Sequence, residues 1–144
     1  MSKKALIIDD EDLTTMSLKT ILNQCGLTSE SAENGNKGIE KLKNSFFDIL
    51  FIDFHLPDIE GDKVLAKIKE NGGSYGKAVL ISGDDKLKGQ FESKGFNFFL
   101  HKPVSKKQIQ ELDVKFLWLG HDTINLIIII IFLFYEYSRK YVKI

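Results

Sequence analysis

One cysteine and two prolines stand among the 144 residues, and each scarcity removes a class of protein. The single Cys25 cannot close an internal disulfide and reads as a small buried apolar residue. So few prolines leave no Pro-rich linker, and the chain has neither a Ser-rich linker nor an internal repeat. An excess of one charge is also missing: 20 Lys and Arg balance 20 Asp and Glu, so there is no basic surplus of the kind that nucleic-acid phosphates attract. The start, MSKKALIIDD, lacks an apolar stretch of signal-peptide length, and a cytoplasmic location is the expectation. Neither a G-x-x-x-x-G-K-[ST] loop nor a G-x-G-x-x-G turn follows the first apolar run, which leaves a nucleotide enzyme without its phosphate cradle. What is there, at 43% hydrophobic and 28% charged, is the ordinary composition of one globular domain.

Up to about Leu119 short apolar runs alternate with stretches of helical period, the pattern of a parallel sheet with crossover helices. The runs KALIID (4 to 9), LTSESA (27 to 32), DILFID (48 to 53), AVLIS (78 to 82) and NFFL (97 to 100) predict five strands. The second is polar enough for a sheet edge; the first, third and fourth are apolar enough for burial on both faces. Leu18, Ile21, Leu22 and Cys25 recur at helical spacing before Gly26, which stands where a helix end needs a left-handed residue. Ile39, Leu42 and Phe46, then Val64, Leu65 and Ile68, then Ile109, Leu112, Phe116 and Leu119 repeat the pattern. A further helix, from about Asp85 to Ser93, has only Leu87 and Phe91 as apolar anchors and would suit an element that moves. The expected fold is a doubly wound, five-stranded parallel α/β sheet.

In such a sheet the functional crevice lies at the carboxyl ends of the strands. The first strand ends on Asp9 and Asp10, the third on Asp53, the fourth on Ser82, Gly83 and Asp84, and the fifth on His101, Lys102 and Pro103. Three carboxylates packed together raise one another's pKa unless a cation neutralises them, and a hard divalent ion with oxygen ligands is the natural partner. Asp9 and Asp10 can hold Mg²⁺ while Asp53 stays available as a nucleophile toward phosphorus. Lys102 would neutralise the growing charge, and the Ser82 hydroxyl with nearby backbone N–H groups would hold equatorial oxygens. The expected site is a phosphoryl acceptor.

The segments IIDDED, ILFIDFHLPD, VLISGDD and FFLHKP resemble, in order and in spacing from about Lys3 to Leu119, the response-regulator receiver domain of two-component signalling, a flavodoxin-like (βα)5 fold. The resemblance implies Asp53 as phosphoacceptor, with Lys102 and Ser82 taking part in the transfer. It implies Mg²⁺, with Mn²⁺ as a substitute, held by Asp9, Asp10, Asp53 and the backbone carbonyl of His55. Phosphoryl oxygens would meet Phe54, Ser82, Gly83 and Lys102. Ser82 and Phe99 match the switch pair, and the Lys102–Pro103 bond matches one that is usually cis in the family, as only X–Pro bonds are at low cost. The implied partners are a histidine kinase or histidine phosphotransfer protein upstream and a target protein downstream, with no nucleic acid. Output would pass through the face made by the fourth helix, fifth strand and fifth helix. The chain is then no enzyme in its own right, but a phosphoacceptor that takes part in its own phosphoryl transfer and slow autodephosphorylation. Two departures matter. His55 occupies a position whose side chain modulates dephosphorylation, and Phe99 lacks the hydroxyl of the commoner tyrosine.

Each residue alone also has a plain structural reading: Asp9, Asp10 or Asp12 as a helix cap, Lys102 as a solvated lysine, Ser82 as a turn residue, His55 as a loop residue. Convergence at four strand ends is what sets those readings aside. The rival function is a phosphorylation-independent interaction module with the same fold. An aspartate-nucleophile phosphatase would want a second Asp where His55 stands.

The receiver is expected over 1 to 119, with 120 to 144 an apolar tail of separate character. Phe116 to Tyr135 is roughly long enough to span a bilayer, though His121, Asp122 and Asn125 interrupt it. The uninterrupted run, Leu126 to Tyr135, suits a segment that packs on this domain or on a second copy. Accidental sequence is the third reading. A membrane-surface helix fits worst, because the run has no polar face. Membrane contact through 116 to 135 and a dimer through the tail or the switch face therefore stay open.

Overall fold

The computed structural model describes the backbone of residues 3–118 and 123–141 and the side chains of 3–112 and 130–141. The chain falls into two compact units, residues 1–109 and 110–144. The first contains a sheet of five parallel strands, β1 (Lys4–Ile8), β2 (Thr28–Ala32), β3 (Phe47–Asp53), β4 (Tyr75–Ser82) and β5 (Phe98–His101), in the order β2-β1-β3-β4-β5. Polar β2 lies at an edge, as its composition requires, and the apolar β1, β3 and β4 fill the centre. Leu6, Ile7, Ile8, Leu50, Ile52 and Leu80 are fully buried, each worth roughly 1.5–3 kcal/mol relative to exposure.

Alternation along the strands divides this interior between two faces. Leu6, Ile8, Leu50, Ile52 and Leu80 join Ile39 and Leu42 of α2 (Gly35–Asn44) and Val64, Leu65 and Ile68 of α3 (Gly61–Glu70) in one cluster. Of the stripe expected on α1 (Asp12–Gln24), Leu18 and Leu22 are buried, while Ile21 and the C-cap residue Cys25 are only partly so. Gly26 follows that helix with φ +82°, a left-handed conformation that glycine adopts without a Cβ penalty. The cap of α1 is Glu11, so Asp12 sits inside the first turn and neither Asp9 nor Asp10 is the cap residue.

The fourth crossover departs from expectation. In place of an α-helix over Asp85 to Ser93 there is a short 3₁₀ turn, Asp85–Gly89, capped by the Asp84 carboxylate, which accepts from the Lys86 N–H. Its apolar anchors are few, Leu87 buried and Phe91 partly so. With Gly89 and a left-handed Gly95 (φ +92°) close by, nothing rewards a longer helix. The 3₁₀ turn stands where the fourth helix was expected.

The last two helices are α4 (Lys106–Trp118) and α5 (Thr123–Tyr141). In α5 the side chains of Ile130, Ile131, Phe132, Leu133, Phe134 and Tyr135 are each more than half exposed. Among the described residues no helix is long and apolar enough to cross a membrane, and residues 119–122 of the span expected from Phe116 to Tyr135 lie outside them.

Gly61 shows how tightly the strand end is enclosed: a Cβ there would lie 2.5 Å from the Asp53 carbonyl oxygen and 3.1 Å from the Phe54 Cα. Backbone cannot retreat as a flexible side chain would. Gly61→Ala should therefore lower stability by roughly 1–3 kcal/mol, measured by urea unfolding; an unchanged midpoint would contradict this packing.

Candidate phosphoryl-acceptor site

The parallel register fixes the ends of the central strands at one edge. Ile8 lies beside Ile52, Asp53 beside Ile81, and Ser82 beside His101. Asp9 extends the β1–β2 ladder by one bond, its N–H donating to the Ala32 carbonyl at 3.1 Å. Among the described residues the only buried polar or charged ones are Asp9, Asp53 and Ser82, at 3%, 6% and 1% exposure. All three stand at this edge. Asp10 is exposed and completes the carboxylate group, with ligand oxygens of Asp9, Asp10 and Asp53 all within 4.8 Å of one another.

Lys102 reaches into this group. Its N–H donates to the Ser82 carbonyl at 2.9 Å, which ties the residue after β5 to the end of β4. Its Nζ lies 2.9 Å from Asp9 Oδ2 and 3.2 Å from Asp53 Oδ2. The Asp9 contact is an ion pair without a directed hydrogen bond, which leaves a buried Oδ2 with coordinating capacity. Asp9 Oδ1 is occupied instead by the Glu11 N–H at 2.9 Å. The Lys102–Pro103 peptide bond is cis, as the resemblance implied.

Electrostatics follow from this geometry. Burial, joined by the Asp9 charge, pushes the Asp53 carboxyl above the ordinary range, with Lys102 opposing. Desolvation works against the Lys102 charge, but Asp9 and Asp53 outweigh it and raise its pKa. One ammonium thus serves two buried carboxylates. Three converging oxygen donors, with Asp9 Oδ2 as yet undirected, fit a hard divalent cation.

Ser82 Oγ accepts the Asp84 N–H at 3.1 Å, which aims the hydroxyl at the loop after β4. Gly83 follows in that loop, where a Cβ would meet nothing within 4 Å. Phe99 is half-buried and stacks on Phe91 of the fourth crossover with ring centroids 6.3 Å apart. The Phe54 N–H donates to the Ile81 carbonyl at 3.2 Å, because the β3–β4 ladder continues one residue past Asp53. The His55 N–H is the one that faces the carboxylate, 3.4 Å from Asp53 Oδ1. His55 itself is exposed, its ring edge-on to Phe54 at 5.0 Å.

Three residues near the site escaped sequence reading. Glu11 lies 3.5 Å from Lys102 Nζ, and the Thr14 hydroxyl followed by Lys102 lowers its pKa. Lys94 sits 5.1 Å from the Phe54 ring centroid and pairs with Asp62 at 3.4 Å. Asp58 accepts two backbone N–H groups of α2. Glu11 could have been found beside the acidic pair; the other two depend on partners more than twenty residues away.

Because Asp53 binds its proton more tightly folded than unfolded, its ionisation costs stability. That cost is absent below the ordinary carboxylate pKa and complete once pH has risen through the raised value. Asp53→Asn, measured without divalent cations, should therefore stabilise the fold at neutral pH by on the order of 1 kcal/mol, and the gain should vanish toward acid. A loss of stability at neutral pH would contradict the electrostatics described.

The profile of the response regulator receiver domain matches residues 5–112. The transcriptional regulatory protein LytR of Staphylococcus aureus is 34% identical over 110 residues, covering 75% of this chain and 44% of LytR. A CheY-like receiver domain structure from Methanospirillum hungatei is 29% identical with a TM-score of 0.70, covering 81% of this chain and 94% of that one. The receiver domain of sensor histidine kinase PA1611 from Pseudomonas aeruginosa, solved with a magnesium ion in its active-site cleft, shares the fold at 18% identity and a TM-score of 0.68, over 78% and 94% of the two chains. The chain spans less than half the length of the curated relatives it matches. With the site at its strand ends and this profile over most of its length, the chain belongs to the response regulator receiver domain family.

Proposed function

We propose that this chain is a phosphoacceptor of a two-component phosphorelay, with Asp53 taking a phosphoryl group from the phosphohistidine of a kinase or phosphotransfer protein. The observation that carries the reading is Lys102 set between Asp9 and Asp53 beside a third carboxylate, at 2.9 and 3.2 Å. An Asp53 oxygen attacks phosphorus opposite the P–N bond, which breaks with its electron pair passing to the imidazole nitrogen. Asp9, Asp10, Asp53 and the His55 carbonyl would hold Mg²⁺, with Mn²⁺ as a substitute. When bound, the ion neutralises the carboxylates and the charge on the transferring group. Lys102 leaves the Asp53 carboxylate for a phosphoryl oxygen. The Ser82 hydroxyl and the Gly83 and His55 N–H groups supply further donors.

Ser82, drawn toward the phosphoryl group, frees space for Phe99, whose stacking on Phe91 links the site to the 3₁₀ turn. Output toward a target protein passes through a face that includes that turn and β5. The chain is not an enzyme in its own right, and its compartment is the cytoplasm. The functional unit is 1 to 119, with 120 to 144 appended to it.

Incubation with Mg²⁺ and acetyl phosphate should add one phosphoryl group to the native chain, read by intact mass, and none to Asp53→Asn or in the presence of a chelator. No addition under conditions that modify a control receiver would overturn this reading in favour of a constitutive interaction module.

A further inference from the structure

The segment between β3 and α3, residues 54 to 60, carries the backbone that follows the acceptor strand, and its two ends are held in different ways. At its base the Gly61 N–H donates to the Phe54 carbonyl at 2.9 Å, and Phe54 is buried in the core. At its far end Asp58 reaches across to α2, where Oδ1 accepts the Gly35 N–H at 2.9 Å and Oδ2 accepts the Asn36 N–H at 2.8 Å. Ile59 packs beside this junction, and a Cβ on Gly35 would lie 2.7 Å from Ile59 Cγ1. Between these anchors His55 is exposed, and its N–H reaches Asp53 Oδ1 only at 3.4 Å.

Asp58 serves two N-terminal N–H groups of α2 that its cap Asn34, which accepts the Lys37 N–H at 2.9 Å, leaves open. Asn36 is exposed, so water could serve its N–H without help. A carboxylate with one oxygen on each of two successive N–H groups, brought from a different loop, fixes that loop in translation and rotation as a single contact would not. Desolvation opposes its charge, but the N–H groups of Asn36 and Gly35, joined by those of Ile59 and of Asp58 itself, hold the carboxyl below its ordinary range.

We infer that Asp58 is a positioning residue for the cation site: by clasping the loop to α2 it holds the His55 carbonyl at the carboxylate edge. This rests on the phosphoacceptor reading above, in which that carbonyl is a ligand. Residues that orient ligands without touching the metal set its affinity. Asp58 acts in that way through the backbone.

The test is Mg²⁺ titration by calorimetry on the native chain, Asp58→Ala, Asp58→Asn and Asn34→Ala, with thermal midpoints measured alongside. Asp58→Ala should weaken Mg²⁺ binding roughly ten-fold, and Asp58→Asn, which keeps one acceptor oxygen, should fall between it and the native chain. Asn34→Ala removes the other cap of the same helix and should lower the midpoint while leaving Mg²⁺ affinity unchanged. Phosphorylation of Asp58→Ala should need more Mg²⁺ but reach the native rate at saturation. If Asp58→Ala fails to fold, Asp58→Asn carries the comparison. Native affinity in the Asp58 variants, or an equal loss in Asn34→Ala, overturns the inference alone; no Mg²⁺ binding by the native chain overturns the phosphoacceptor reading with it.

Discussion

Two carboxylates forced out of water beside each other are the constraint on which the rest of this structure depends. Asp9 and Asp53 are almost fully buried, and among the described residues a single ammonium, Lys102, lies within ion-pair distance of both. An arrangement with more negative charge than its fixed cation can balance does not serve the stability of the fold, since apolar residues would do that better. Such an imbalance of charge fits a hard divalent cation. The parallel sheet makes the arrangement possible, because its strands bring their carboxyl ends to one edge. β3 is buried at six of its seven positions.

Most of this was legible in the sequence because it depends on local pattern. Continuous apolar runs marked β1, β3 and β4 as central, and the polar run TSESA marked β2 as an edge, where it lies. Gly26 announced the end of α1 and has the positive φ expected of it. Asp9, Asp10, Asp53, Ser82 and Lys102 were recognisable because a parallel sheet brings its strand ends to one edge whatever lies between them.

What was not legible depends on the path of the backbone between elements. Whether the Phe54 or the His55 N–H faces the Asp53 carboxylate turns on one additional ladder bond to Ile81, which no spacing reveals. The carboxylate of Asp58 finds its partners on α2, more than twenty residues earlier, and Lys94 finds Phe54 from the far side of β4. The fourth crossover failed for a different reason. Its two apolar anchors satisfy helical spacing, but they are too few to offset helix nucleation, and a 3₁₀ turn capped by Asp84 takes the place of the helix. Phe99 stacks on Phe91 of that crossover.

The central claim is that Asp53, and not the neighbouring Asp10 or Asp9, takes the phosphoryl group. An acyl phosphate is reduced by borohydride to an alcohol, which turns an aspartyl phosphate into homoserine and marks the residue permanently. Peptide mass mapping after phosphorylation by acetyl phosphate and borohydride reduction is thus the most direct measurement. Homoserine at position 53 alone is the predicted result; homoserine at position 9 or 10, or at none, would contradict the account.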